Sequence, residues 1–342
     1  MKRSLLACCA LLACGGAAAT DVTMYGLLDL NLGLTDRLAP GAGATLRVNA
    51  GGMNTSRLGF LGSEDLGGGM KAVFQLELGV APDTGVADAP LFKRQATVGL
   101  EFHNGSVLVG RAFTSVYDFM LPYDPMGYAP AYSWAPTGHA GGASKYGMAL
   151  AFDNLVKVSA RAGDVSVGAS WGAGEAAGGD KGAVAVNYAH GPFAVVATWE
   201  RIGGADVPIG PRDATTAWHA GALYRQGPFK LQAAMRDYRQ RGSAGTAPAR
   251  ARVYWAGINW LATPVLTVTG ALYRQDILET AHDADPVMAV ARLRYALSRR
   301  TDLYATAAYA KARDGHVVAL ARDEAGFGSL QRSVLLGMQH RF

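Results

Sequence analysis

The closing stretch Ser333–Phe342, "SVLLGMQHRF", decides the fold. Val334, Leu336, Met338, His340 and Phe342 fall on one parity; Ser333, Gly337, Gln339 and Arg341 fall on the other. Period-two alternation is the signature of a β-strand with two unlike faces. This strand is greasy on one side, polar on the other, and ends the chain on an aromatic carboxylate.

The same pattern recurs from end to end. In "PFKLQAAMR", Phe229, Leu231, Ala233 and Met235 alternate with Lys230, Gln232, Ala234 and Arg236. In "VYWAGINWL", Tyr254, Ala256, Ile258 and Trp260 alternate with Trp255, Gly257 and Asn259. "PFAVVATWE" sets Phe193, Val195, Ala197 and Trp199 on one face, and "AVARLRYAL" sets Leu293 and Tyr295 opposite Arg292 and Arg294. Aromatics begin and end the apolar faces, a placement suited to a lipid headgroup boundary. The other faces carry full charges in mid-strand, which a dry core rejects unless they are paired. Such a strand calls for lipid on one side and water on the other.

Composition narrows the class. Half of the 342 residues are hydrophobic, yet 44 are Gly and only 17% are charged. Lys2 and Arg3 precede the apolar run Leu5–Ala13 and the small residues Gly15–Ala19, so residues 1–19 read as a secretory signal peptide, with the mature chain over 20–342. Cys8, Cys9 and Cys14 all lie within it, leaving a cysteine-free mature chain suited to an oxidising compartment. A lipoprotein box ending at Cys14 fits poorly because of Leu12. Without Lys2 and Arg3 there remain 30 basic and 27 acidic residues, a net of +3. That is too small and dispersed for a nucleic-acid partner. Beyond the signal no run of about 18 apolar residues exists, so no transmembrane helix is expected.

Punctuation supplies the topology. Very short turns at "AGD" (162–164), "HGP" (190–192), "QGP" (226–228), "ATP" (262–264) and "SRR" (298–300) alternate with long Gly-rich connections. This describes an antiparallel meander with one smooth rim and one loopy rim. Sixteen strands are predicted, near 22–33, 55–64, 70–80, 93–103, 105–113, 153–161, 165–172, 182–189, 193–202, 215–225, 229–240, 252–261, 265–276, 287–297, 301–312 and 332–342. The expected fold is all-β: a 16-stranded antiparallel transmembrane β-barrel, closed so that no backbone donor is left unpaired in lipid. One connection breaks the rhythm. Between about Thr114 and Phe152 lies a stretch rich in Tyr and Pro, which is expected to fold back into the barrel.

Several segments then carry a family resemblance: "VTMYGLLDLNLG", "SRLGFLGSEDLGGGMKAVFQLELG" (56–79), "FKRQATVGLE" (92–101), "GSVLVGRAFTSVYDFM" (105–120), "YALSRRTDLYATAAYAKA" (295–312) and the final "HRF". In this order the chain resembles the Gram-negative general porins, in particular their proteobacterial and neisserial-type branch. The resemblance implies a homotrimeric outer-membrane pore, set in outer-membrane lipid, whose third external loop narrows the channel. It implies passage of small hydrophilic solutes and ions, and a terminal Phe342 that serves as the signal to the barrel-assembly machinery.

In that family basic wall residues face acidic loop residues at the constriction. Arg57 in "SRLGF" and Arg111 in "GRAF" match the wall positions. Arg94 in "KRQATVGL" matches by motif, although plain alternation groups it with Ala96, Val98 and Leu100 on the lipid face. It reaches the lumen only past the membrane edge or beyond a bulge. Leu61 stands where relatives commonly carry Lys. Asp118 and Asp124 are the acids of the loop, with Tyr117 and Tyr123 beside them. Opposed charges across a narrow wet gap filter solutes by size and charge without holding them. A bracing role, in which these arginines simply pair with carboxylates, is the alternative.

Other motifs point nowhere. "GASWG" matches G-x-S-x-G around Ser170, but the alternation runs on as a strand where a nucleophile elbow needs a sharp turn into a helix. An enzyme is therefore not expected; a barrel hydrolase using Ser170 and a solute-specific channel are the competing readings. The histidines, His103, His139, His190, His219, His282, His316 and His340, are scattered without ligand spacing. No metal site and no cofactor are expected. The luminal Arg excess suggests a mild anion preference.

Overall fold

The computed structural model describes residues 21–136, 146–174, 179–204, 214–242, 248–278, 284–321, 324 and 326–342. The expected signal peptide, His139 and His282 lie outside these residues. In chain order the strands are β1 (Asp21–Asp36), β2 (Ala44–Ala50), β3 (Arg57–Gly67), β4 (Met70–Ala81), β5 (Val86–Ala87), β6 (Gln95–Phe102) and β7 (Gly105–Phe113). A helical turn follows, α1 (Ser115–Met120), running into a 3₁₀ turn at Leu121–Tyr123. Then come β8 (Ala151–Ala162), β9 (Val165–Gly172), β10 (Lys181–His190), β11 (Phe193–Ile202), β12 (Thr215–Gln226) and β13 (Phe229–Gln240). The chain ends with β14 (Ala249–Thr263), β15 (Leu266–Ile277), β16 (Val287–Ala296), β17 (Thr301–Lys311) and β18 (Leu330–Arg341).

Every pairing is antiparallel between neighbours in the wall, and β1 pairs with β18 from Leu27↔Arg341 to Thr35↔Ser333, closing the sheet. Two short strands stand apart from the meander: β2 pairs with the end of β1, and β5 pairs with the end of β4. Without them the wall is a closed 16-stranded antiparallel barrel, each strand overlapping one predicted from the sequence. Where β2 forms, the sequence pattern predicts only a connection. The β2 register, Leu30↔Ala50 to Asp36↔Ala44, continues the edge that β3 begins with Leu27↔Arg57.

The turns at one rim are as short as the punctuation implies. Gly163, Gly191 and Gly227 take positive φ of 56°, 55° and 55° at three of them, a backbone that glycine adopts without steric cost. At the seam, Gly26 N–H donates to the Phe342 carbonyl and Phe342 N–H to the Gly26 carbonyl, both at 3.1 Å. A Cβ on Gly26 would sit 2.2 Å from the Phe342 ring, so any larger residue there would displace the terminal aromatic.

The two faces separate as the parity dictates. On β18 Val334, Leu336 and Met338 are 52%, 60% and 51% exposed, against 4% for Ser333 and 0% for Gln339. Leu335 shares the polar parity but is buried in the cluster formed with Tyr132 and Trp134. On the outward face Trp199 pairs with Trp218 in one row, and Phe193 with Tyr224 six residues down the same strand. At ~3.3 Å per residue that separates the two aromatic rows by roughly 20 Å along the strand, the scale of an apolar membrane band. Exposed Val195, Leu231, Leu272 and Leu293 occupy the space between.

The buried apolar residues are not sandwiched between two sheets. Val116, Met120, Tyr123, Met126 and Trp134 pack with Val196, Val253, Trp255, Tyr273 and Met288 on the wall's other face. The core of this molecule is thus the contact between the wall and the segment after β7, joined by Val318 and Leu320 of the connection between β17 and β18.

Candidate functional site

The segment after β7 is tied down by specific bonds. Thr114 caps α1, its hydroxyl accepting from Tyr117 N–H at 3.1 Å. Ser115 N–H donates to Ser170 Oγ at 2.9 Å, and the two hydroxyls lie 2.8 Å apart. Ser170 therefore anchors a helix start, and β9 runs straight through it, as the strand reading of "GASWG" required.

Asp124 is the hub of the segment. Its carboxylate, 2% exposed, accepts from Tyr128 N–H at 2.7 Å, Ser133 Oγ at 2.7 Å, Met126 N–H at 3.3 Å and the Tyr273 hydroxyl of β15 at 2.5 Å. Around it Trp255 Nε1 donates to the Tyr123 carbonyl at 3.0 Å and Gln232 Nε2 to the Pro122 carbonyl at 3.0 Å. The Tyr123 hydroxyl donates to Asn187 Oδ1. Burial pushes the Tyr123 phenol up to about 12, so it remains a donor at any working pH. Asp118 pairs instead with Lys157, which also donates to the Phe113 carbonyl at 2.9 Å. Lost hydration pushes the Asp118 carboxyl up, and the Lys157 ammonium pulls it back.

The expected wall arginines divide. Arg57 and Arg94 share one carboxylate, with Glu77 Oε2 3.5 Å from Arg57 Nε and Glu77 Oε1 2.7 Å from Arg94 Nε. Glu77 is almost fully buried and also accepts from the Tyr25 hydroxyl at 2.7 Å. Arg94 escapes the alternation of its neighbours because it precedes Gln95, the first residue of β6 paired to β4. Its guanidinium lies 5.2 Å over the Phe113 ring, which stacks on Tyr117 at 4.5 Å, which meets Tyr128 at 4.8 Å. One chain of contacts thus links two cations on the wall to the segment. Two guanidinium groups against a single carboxylate leave the cluster net positive.

Arg111 is not part of it. It sits where the β7–β8 ladder shifts between Gly110 and Ala112, and it pairs with Asp153 and the Lys93 carbonyl. Asp124 and Asp118 likewise engage partners other than Arg57 and Arg94. Leu61, opposite Gln75, shares the sheet face of Arg57 and Gly59, so that face lacks a cation there.

Sequence reasoning passed over three residues. Glu77 in "FQLELG" was a charge in mid-strand directly opposite Gly59, and Lys157 in "DNLVKVS" had the same polar parity. Asp29 in "LLDLNLG", fully buried, accepts from the backbone of Gly52, Met53 and Asn54 and from the Tyr304 hydroxyl at 2.6 Å. It pins the 51–56 link between β2 and β3. In each case the available signal was a full charge within a strand.

A closed barrel that is apolar on its exposed face and charged on the other is the architecture of an outer-membrane channel. The family model for Gram-negative porins matches residues 5–315, and the chain belongs to that family. It is an outer-membrane β-barrel protein and not an enzyme. Over 125 residues it is 40% identical to outer membrane porin protein 32 of Delftia acidovorans, covering 36% of this chain and 35% of that one. Over 114 residues it is 35% identical to the major outer membrane protein P.IB of Neisseria meningitidis, covering 32% and 34%. The matched stretches thus span about a third of those relatives. An anion-selective porin from Comamonas acidovorans has a similar fold, with a TM-score of 0.82 and 25% identity over 95% of this chain and 100% of that one.

Proposed function

We propose that the protein forms a water-filled channel for passive diffusion of small hydrophilic solutes and ions across the outer membrane, with a preference for anions. The 114–136 part of the connection after β7 folds into the lumen and narrows it. Its hydrogen bonds to Asn187, Gln232, Trp255 and Tyr273, on four different strands, support that position. Arg57, Arg94, Tyr117 and Asp118 line the constriction, with Tyr123 and Asp124 buried behind it and Arg111, paired with Asp153, apart from it. Arg57 and Arg94 supply its field, Asp118 and Lys157 offset each other, and Asp124 holds the segment in place.

The observation that carries the preference is the shared carboxylate: Glu77 compensates only one of the two arginines beside it. A net positive charge in a narrow aqueous gap raises the local anion concentration. The functional unit is a homotrimer, residues 1–19 direct export, and Phe342 is the residue read by the barrel-assembly machinery. Reversal potentials across a KCl gradient test the reading. They are expected to show chloride favoured over potassium; a clear potassium preference would overturn the assignment of the field to Arg57 and Arg94.

A further inference from the structure

A second group of cations lies on a different part of the wall. Lys230, Asn259, Thr269 and Arg292 stand side by side in register on β13, β14, β15 and β16, so all four share one sheet face. Arg294 is two residues further along β16, opposite Thr267, and projects to the same side. These five residues and Thr267 line a cavity of about 530 Å³ bounded by the Leu121–Gly127 part of the inward segment.

The charges around this cavity do not balance. Arg341, also in the lining, is neutralised by Asp302 at 2.9 Å. Asp124 is the acid of the lining, and its carboxylate is engaged by Tyr128, Ser133 and Tyr273. Lys230, Arg292 and Arg294 have no carboxylate within ion-pair distance among the described residues. The neutral partners do little to help. Arg292 Nη1 reaches the Met126 carbonyl at 3.4 Å, Arg294 Nη2 reaches Thr267 Oγ1 at 3.3 Å, and the buried Arg292 Nε has no acceptor. Three like charges gathered on one cavity repel one another and are relieved by a counter-anion.

We propose that this cavity is a binding site for a small dianionic oxyanion of the phosphate and sulfate type, entered from the lumen. The proposal rests on the channel reading above. Chloride would cancel one charge and offers no oxygen pair to a guanidinium. A tetrahedral dianion cancels two charges and presents the paired oxygens that arginine binds bidentately. The Thr267 and Thr269 hydroxyls and the Lys230 ammonium add donors without adding competing negative charge. A residence site inside a conduction path slows the ions that follow, so phosphate passing here also obstructs chloride.

The test is single-channel current of the purified full-length protein in KCl at pH 8, titrated with inorganic phosphate against gluconate controls of matched ionic strength. Wild type is expected to show saturable loss of chloride current. Arg292→Gln with Arg294→Gln is expected to raise the half-blocking phosphate concentration by at least roughly tenfold, the change for losing a charge-assisted contact. Lys230→Gln alone is expected to give a smaller rise, and Arg292→Lys a partial retention of block. Retained heat-modifiable migration on gels reports that each variant barrel has folded. KCl current that is indifferent to phosphate, or block that persists unchanged in the folded double variant, overturns the site and leaves the channel standing. A bilayer left sealed in KCl overturns the channel and the site with it.

Discussion

The wall and the segment it touches are built on different principles. On the wall one rule, repeated sixteen times, sets most side chains: even and odd positions lie on opposite faces of the sheet. In the 114–136 segment no such rule holds, and single groups such as Asp124, Trp134 and Ser115 fix the chain through named bonds. The wall therefore tolerates many changes that keep the alternation, whereas the segment is sensitive to one atom. The contrast also separates roles. In the proposed channel, the wall supplies the hole, and the segment with its neighbours supplies the filter.

The largest effect expected from breaking this contrast is at Asp124. Asp124→Ala leaves the Tyr273 hydroxyl, Ser133 hydroxyl and Tyr128 N–H without their acceptor, at a cost of roughly 1–3 kcal/mol for each buried donor. The segment should become cleavable by protease in detergent while the wall keeps its heat-modifiable migration. Unchanged protease resistance would contradict the hub role.

A matched pair on β15 sharpens the comparison of faces. Leu272, 64% exposed between the aromatic rows, should lose about 2–4 kcal/mol of stability as Leu272→Arg, read from urea unfolding in phospholipid. Thr267→Glu, on the luminal face of the same strand and opposite Arg294, should cost less than about 1 kcal/mol, since water and the neighbouring cation receive the charge. Equal losses would show that the two faces do not meet different media.

At the filter, Glu77→Gln removes the carboxylate that Arg57 and Arg94 share. The chloride-to-potassium permeability ratio should rise by about twofold, the size expected of one screened charge in an aqueous lumen. A fall in the ratio would place those arginines outside the conduction path. The smallest effect belongs to Ser170→Ala, which removes an acceptor from Ser115 N–H and should cost about 1 kcal/mol of thermal stability with conductance unchanged.

The wall was legible because alternation is a local property and closure follows from it: a strand with lipid on one side must have both edges paired. Alternation alone assigns the face of residues such as Phe193, Trp199, Tyr254 and Trp260. The segment was legible only as an exception, too long and too aromatic to be solvated. Its partners could not be read, because Asp124 meets Tyr273 across 149 residues of sequence. Arg94 misled for a related reason, since parity is meaningful only inside a ladder and Arg94 lies one residue outside it. β2 was missed because "ATLRVNA" offers only a short and weak alternation. The grouping of Arg57 and Arg94, and the separate pairing of Arg111, depended on where Glu77 and Asp153 come to lie, which no single-strand pattern encodes.

The most direct test of the central claim, a sheet closed around water, is current through a planar bilayer after adding the purified chain in detergent. The account predicts discrete upward steps of stable, ohmic conductance that scale with the concentration of KCl. A bilayer that stays electrically silent, with the protein demonstrably inserted, would contradict it.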